Sequence, residues 1–340
     1  MKRALTIAAI SLAAITACAS IGAAGPPPAV QSQNEQLFQQ MKSVFGLSDE
    51  QMSRIRAIFA GSGRMGQGNP AITAHAATPE ACRARLQREA VSYENPRFEK
   101  ICGSKYLAPL YDPATQKPED AKVCIDQFEF PDIPCTYPVV WVKAREAAQL
   151  CEAEGKRMCD AHEWEGACEG NLQPPDYEFE QVQGLDEHAA QIRMRAMHNA
   201  KYGARQSWSY GPNYRTGVCA TGSRKSPSCN GGEWDTCGSN TYPTGSFPAC
   251  HSSLGVYDIN GNAAEHMNLP TRPDQMASRG SKTLGVTEMK GSWFVFDQIR
   301  AHEDWCRWRA PYWHGTRVMD EASHANYHLG FRCCKTLDAR

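Results

Sequence analysis

The sequence has no C-x-x-C pair and no zinc-finger spacing, although it carries 15 cysteines in 340 residues. That absence argues against a redox dithiol or a structural zinc site. Excess charge of one sign is also missing. The formal net charge is −1, so nothing points to nucleic acid or an acidic lipid surface as a partner. There is no internal repeat and no low-complexity tract. Beyond the N-terminus no stretch is apolar enough to span a bilayer. With 41% hydrophobic and 21% charged residues, the composition is globular rather than disordered. The chain is long enough to bury a large core and to hold two domains.

What is present starts with "MKRALTIAAISLAAITAC". Lys2 and Arg3 precede an apolar run from Ala4 to Ala17. The run is too short for a membrane span and suits a signal-peptide core. It ends in Ile15-Thr16-Ala17-Cys18, similar to the bacterial lipobox, in which cleavage precedes a cysteine that is then acylated. A plain secretory signal cut near Ala24 is the alternative. Either way the expected location is a bacterial cell envelope. The lipobox reading makes residues 1–17 the signal peptide, Cys18 the lipidation site and the membrane a partner through that lipid. The anchored chain would face the periplasm, and Ala19 in place of an aspartate favours the outer membrane over the inner. Residues 18–32, with "GPPPAV", read as a tether.

Export gives the cysteines a default meaning. Setting Cys18 aside leaves 14 of the 15, an even set, which in an oxidising compartment reads as disulfides. Cys82 and Cys102 flank a short helix expected after Thr78-Pro79 and are candidates for a local pair.

Residues 33–122 read as a helical N-terminal segment and linker. Leu37, Met41, Val44 and Phe45 share one helical face. Ser48 and Gln51 form a capping box before Met52, Ile55, Ile58 and Phe59. The expected arrangement is a helical hairpin packed on the main domain; a partner-binding arm is the alternative. From Val123 onward the pattern is irregular. Helices are expected from Lys143 to Glu154, stopping at Gly155, and after Asp160, where Glu163 is the capping partner of a face carrying Trp164, Ala167 and Cys168. A more polar helix from Leu185 to Asn199 reads as an insertion. Few helices among many short extended pieces indicate an α+β domain.

Three segments go further: "GKRMCDAHEWEGACEG" (155–170), "GVYDINGNAAEHMN" (255–268), and "MKGSWF" (289–294) together with "HLGFRCC" (328–334). In order and spacing they resemble the sulfatase-modifying-factor domain, the family of the formylglycine-generating enzyme, whose segments run roughly GKRLPTEAEWEYA, GLYDMxGNVWEW, RGGSW and GFR. The resemblance covers residues 123–335. It implies a loop-rich, modified C-type-lectin-like α+β fold.

It also implies where chemistry should lie. The founding enzyme holds copper on two cysteines shortly after the RGGS-type motif, a soft ligand pair suited to Cu(I). Counted without gaps from Lys290-Gly291, those positions are Phe296 and Ala301, and the motif's serine falls on Trp293. No cysteine lies between Cys250 and Cys306. No copper is expected, and no catalytic residue is assigned. The same count places Cys306 on a structural cysteine whose partner follows the EAEW helix, here Cys168. A second family disulfide implies Cys151 with Cys333. Cys124, Cys135, Cys159 and Cys334 are candidates for one further knot. Cys219, Cys229, Cys237 and Cys250 could clip the loop before the GN motif.

In the family, oxygens at the GN turn coordinate calcium. The matching residues are Gly261, Asn262, Ala263 and Glu265, which would supply part of a shell of six to eight oxygens. The alternative is that Asn262 holds a tight turn and Glu265 binds an arginine. The family's Val-Trp and final Trp are replaced by Ala264 and His266. His302, His314, His324 and His328, with Glu303 and Asp304, are the candidates for a relocated non-haem iron site. Glu163 could be a catalytic acid, although helix capping explains it. Trp293, Phe294, Phe296, Trp305, Trp308, Tyr312 and Trp313 are either core or the floor of a groove for a peptide, protein or glycan ligand. The favoured function is a non-catalytic envelope binding or structural module. The alternative is a periplasmic oxidoreductase or protein-modifying enzyme with a relocated metal site.

Overall fold

A computed structural model of the chain describes residues 28–69, 72–73, 75–226, 229, 236–237, 240–310 and 315–337. The signal peptide, Cys18 and most of the expected tether lie outside the described residues, as do Tyr312, Trp313 and His314.

Among the described residues the first feature is a helical hairpin. Helix α1 runs Pro28–Phe45 and α2 runs Asp49–Ser62. The first helix thus begins inside the stretch expected to be tether, with a proline at its first position, where the missing N–H costs nothing. Ser48 and Gln51 form the capping box of α2, and Gly63 ends it in a left-handed conformation. The hairpin shares one core with the main domain: Leu37, Met41, Met52, Ile55 and Phe59 meet Phe130, Val139, Leu150 and Phe331.

Two short helices follow, α3 (Pro79–Arg88) and α4 (Pro96–Cys102), each with proline in the first turn and a capping side chain, from Thr78 and Asn95 respectively. Strand β1 (Leu107–Leu110) then pairs with β2 (Val123–Asp126). Helix α5 spans Ala144–Ala153, β3 Arg157–Met158, α6 Ala161–Glu169 and α7 Glu187–Tyr202. The last four strands are β4 (Ala264–Leu269), β5 (Val286–Lys290), β6 (Leu329–Phe331) and β7 (Cys333–Thr336).

The strands form two small sheets, ordered β1-β2-β7-β3 and β5-β4-β6. The first is antiparallel throughout, whereas β4 and β6 are parallel. The chain crosses between sheets at one residue, Arg332, which separates β6 from β7. The domain therefore starts before residue 123: β1 is an edge strand of the first sheet. Helix α7 is not a peripheral insertion, because its Arg195 is buried and binds Glu288 of β5 at 2.8 Å.

Seven disulfides use all 14 cysteines from Cys82 onward. Cys151–Cys333 and Cys168–Cys306 are the pairs the resemblance implied. They close separations of 182 and 138 residues, each adding roughly 3–5 kcal/mol in a chain-entropy account. Cys82 and Cys102 do not pair with each other. Cys82 joins Cys135 and Cys102 joins Cys124, because α3 sets its sulfur against the turn after β2 while α4 sets its own against β2 itself. Of the foursome 124, 135, 159 and 334, only Cys159 and Cys334 join each other. The other foursome resolves as Cys219–Cys250 and Cys229–Cys237.

Candidate functional site

The sequence motifs meet on α6. Trp164 donates its indole N–H to Glu265 Oε2 at 2.9 Å. Arg332 binds both oxygens of Glu265, each at 2.7 Å. Its remaining donors go to the carbonyls of Asp126, Gln127 and Tyr257, all at 3.1 Å. All three side chains are buried. Burial works against the charge on Arg332, but the Glu265 carboxylate overcomes it and raises the guanidinium's pKa. Segments 155–170, 255–268 and 328–334 are thus tied together at one carboxylate.

The segment 289–294 joins through Glu165, the residue that follows Trp164. Lys290 reaches Glu165 at 2.6 Å and the Trp308 carbonyl at 2.8 Å. Arg309 binds the same Glu165 oxygen at 3.1 Å, and Arg307 stands at 3.8 Å from the other. Burial pushes the Glu165 carboxyl up, but Arg309, His198 and Lys290 outweigh it and hold the group well below the ordinary carboxylate range. Glu163 accepts the Asp160 backbone N–H and a two-pronged contact from Arg157 at 2.6 and 2.7 Å. It is a cap and ion-pair partner, with neither oxygen left for acid catalysis.

The GN turn is built the same way. Gly261 has φ +81°, and an added Cβ would lie 2.8 Å from Thr221 Cγ2 and 2.9 Å from the Ala220 carbonyl. Asn262 also has positive φ. Its side-chain oxygen accepts the Tyr242 N–H at 2.7 Å, and its amide donates back to the Tyr242 carbonyl at 3.2 Å. Its backbone carbonyl accepts the Phe294 N–H. Ala263 gives its N–H to Glu129. The expected calcium set of Gly261, Asn262, Ala263 and Glu265 therefore does not fit a cation as placed. The Glu265 oxygens are directed at Arg332 and Trp164, and the Asn262 oxygen at a peptide N–H. His266, where the family keeps a tryptophan, fills the space with two hydrogen bonds, to Thr287 Oγ1 and the Val142 carbonyl.

The copper positions carry no thiol. Phe296 is 5% exposed. It lies against Tyr214 with centroids 5.5 Å apart and beneath the Arg300 guanidinium at 4.9 Å. Ala301 is exposed. Neither can ligate copper, and the described cysteines are all disulfide-bonded, so the donor set does not fit that metal.

Among the described residues the candidate histidines do not come together as a metal centre either. Among the described residues two groups bring three ligand-type atoms together: Cys159, Glu163 and Cys334, and Glu165, Asp176 and His198. In the first both sulfurs belong to one disulfide. In the second Glu165 is already surrounded by Lys290, Arg307 and Arg309. His302 and His328 instead enter a ladder of rings. Its order is Trp141, Tyr327, His328, Trp293, His302 and Trp308, with successive centroids 6.4, 4.8, 4.1, 4.7 and 4.8 Å apart. The His302 Nδ1 meets the Glu303 carbonyl at 2.8 Å, and burial pulls the ring's pKa down to about 4, so it is neutral at pH 7. Asp304 is buried, accepts the Ser292 N–H, and burial pushes its pKa up to about 7.

The aromatic ladder was only partly visible in the sequence. Trp293 and Trp308 stood out as aromatics, and His302 and His328 as histidines. Trp141 and Tyr327 were missed; their separation along the chain left no local signal.

The fold and this knot of motifs define a sulfatase-modifying-factor scaffold without its thiol pair. A family model described as "Sulfatase-modifying factor enzyme 1-like domain" matches residues 85–337, and the chain belongs to that family. The match opens in α3, in keeping with β1 as part of the sheet. Among solved structures, one titled "Crystal Structure of CarF" is similar over 81% of this chain and 86% of that chain, at 13% identity and a TM-score of 0.29. No curated protein matches the chain.

Proposed function

We propose that this chain is a non-catalytic binding or structural module of a bacterial cell envelope, held to a membrane by a lipid on Cys18 and facing the periplasm, with the outer membrane as the favoured leaflet. The observation that carries the reading is the fate of sulfur. All 14 cysteines beyond Cys18 are in disulfides, and the copper positions are Phe296 and Ala301. Thiolate is what the family chemistry needs as ligand and reactant. A disulfide-rich domain also suits an oxidising compartment, and the lipobox-like stretch supports the anchor. The partly buried edge of the ring ladder, at His302, Trp308 and Tyr327, offers the surface for a peptide, protein or glycan.

The test is metal analysis of protein purified without chelator, alongside an assay for oxygen-dependent oxidation of a cysteine-containing peptide. The reading expects no stoichiometric copper or iron and no oxidation. Stoichiometric copper or iron that is lost in His302→Ala would overturn it in favour of the relocated-metal enzyme.

A further inference from the structure

We propose that the cleft between α1 and the residues 67–69, 73 and 75–83 binds an extended, uncharged peptide stretch of a partner protein. The cavity holds about 490 Å³. One wall is a row of glutamines, Gln33, Gln36 and Gln40, spaced i, i+3 and i+7 so that they share one stripe of the helix. The helix docks on the core through Leu37, Phe38 and Met41, which are buried, with Leu37 also reaching the cleft. The amides are therefore not needed to dock the helix. The facing wall adds Gln67, Asn69 and Thr136. The charged residues of the lining, Glu80 and Arg83, pair with each other at 2.6 Å. The cleft thus carries no net field to select an anion or a cation.

A carboxamide side chain holds a donor and an acceptor together, which is the complement of a peptide group. From Gln33 to Gln40 the helix rises about 10 Å, the span of roughly three residues of extended chain. Among the described residues Gln33 Oε1 has no hydrogen-bond partner, and it is buried, so the exposed amides of Gln36 and Gln40 are the ones that meet a ligand. A glycan is the less suitable occupant, because sugar faces are held by open rings. The Tyr137 ring at this cleft is buried, with its hydroxyl on the Ala77 carbonyl. His75 is stacked on Tyr242 at 4.1 Å. This cleft is built from other elements than the ring ladder and is independent of it.

The experiment screens the purified chain against an array of capped, uncharged decapeptides, with chitotetraose as a neutral sugar probe. The tightest array member is then titrated by fluorescence polarisation against wild type, Gln36→Ala/Gln40→Ala and Gln39→Ala. Gln36, Gln39 and Gln40 are exposed, so all three proteins should melt alike. Removing two neutral hydrogen bonds should weaken peptide binding about tenfold. Gln39→Ala, on another face, should leave it unchanged, and chitotetraose should neither bind nor compete. The proposal is overturned if no array member binds, if the double variant binds as well as wild type, or if chitotetraose is the ligand whose binding the double variant loses.

Discussion

Changing Glu265 to Gln is the sharpest perturbation of the motif knot. The substitution keeps the shape and removes the charge. Glu265 accepts three hydrogen bonds, from Trp164 at 2.9 Å and twice from Arg332 at 2.7 Å, and Arg332 has no exposure to water. An amide can accept at one atom only, so Arg332 is left as a buried charge facing an amide donor. Breaking such a pair from one side costs about 3–5 kcal/mol. At about 2 °C per kcal/mol for a chain of this size, the melting temperature should fall by about 6–10 °C. The assay is thermal and denaturant unfolding with disulfides intact, in calcium and in chelator. The loss should be the same in both, because the carboxylate's partner is an arginine. A Glu265→Leu/Arg332→Met double variant should recover part of the loss, since apolar replacement of both partners removes the stranded charge. A loss below about 1 kcal/mol, the worth of a neutral hydrogen bond, would refute this reasoning. So would a loss that appears only in calcium.

Three further outcomes follow from the same geometry. Gly261→Ala should destabilise the chain by roughly 1–3 kcal/mol, as left-handed backbone strain adds to the clash with Thr221 and Ala220; calorimetry would read it, and a neutral effect would contradict the turn as described. Lys290→Met should cost about 1.5–3 kcal/mol, because Glu165 loses one charged hydrogen bond while Arg309 stays on the same oxygen at 3.1 Å, and the denaturation midpoint would show it. Asp304 titrates at about 7 when folded because it is buried. An acid raised above its unfolded value stabilises fully below that unfolded pKa, and the contribution fades as pH rises to about 7. Unfolding free energy measured between pH 4 and 7 should therefore fall less steeply with pH in Asp304→Asn than in wild type; parallel slopes would contradict the assignment.

Local features were legible and distant ones were not. The Ser48–Gln51 box, the Gly155 stop and the Asp160–Glu163 start are written within four residues, and each marks an observed helix boundary or cap. Helix α4 has its own signal, Asn95 before Pro96, but spans only 7 residues and carries no periodicity to read. The start of α1 was misplaced because prolines read equally as tether and as first helical turn. The ion pairs that tie the motifs together join residues 67 to 144 apart in the chain, beyond the reach of spacing arguments. The resemblance supplied two disulfides of that kind, Cys151–Cys333 and Cys168–Cys306. Without such guidance Cys82 was assigned to a near neighbour in sequence, although the turn that follows β2 brings Cys135 to it instead. The motif residues Glu163, Glu265 and Asn262 invited catalytic or calcium roles, and their partners became visible only in three dimensions.

The central claim is that this family scaffold has no thiol left to hold a redox metal. The measurement is alkylation of the unfolded, unreduced chain from residue 19 onward, followed by peptide mass mapping. The account predicts no alkylated cysteine and seven linked pairs, including Cys168–Cys306, Cys82–Cys135 and Cys102–Cys124. Two alkylated cysteines in the native preparation, Cys306 above all, would contradict it.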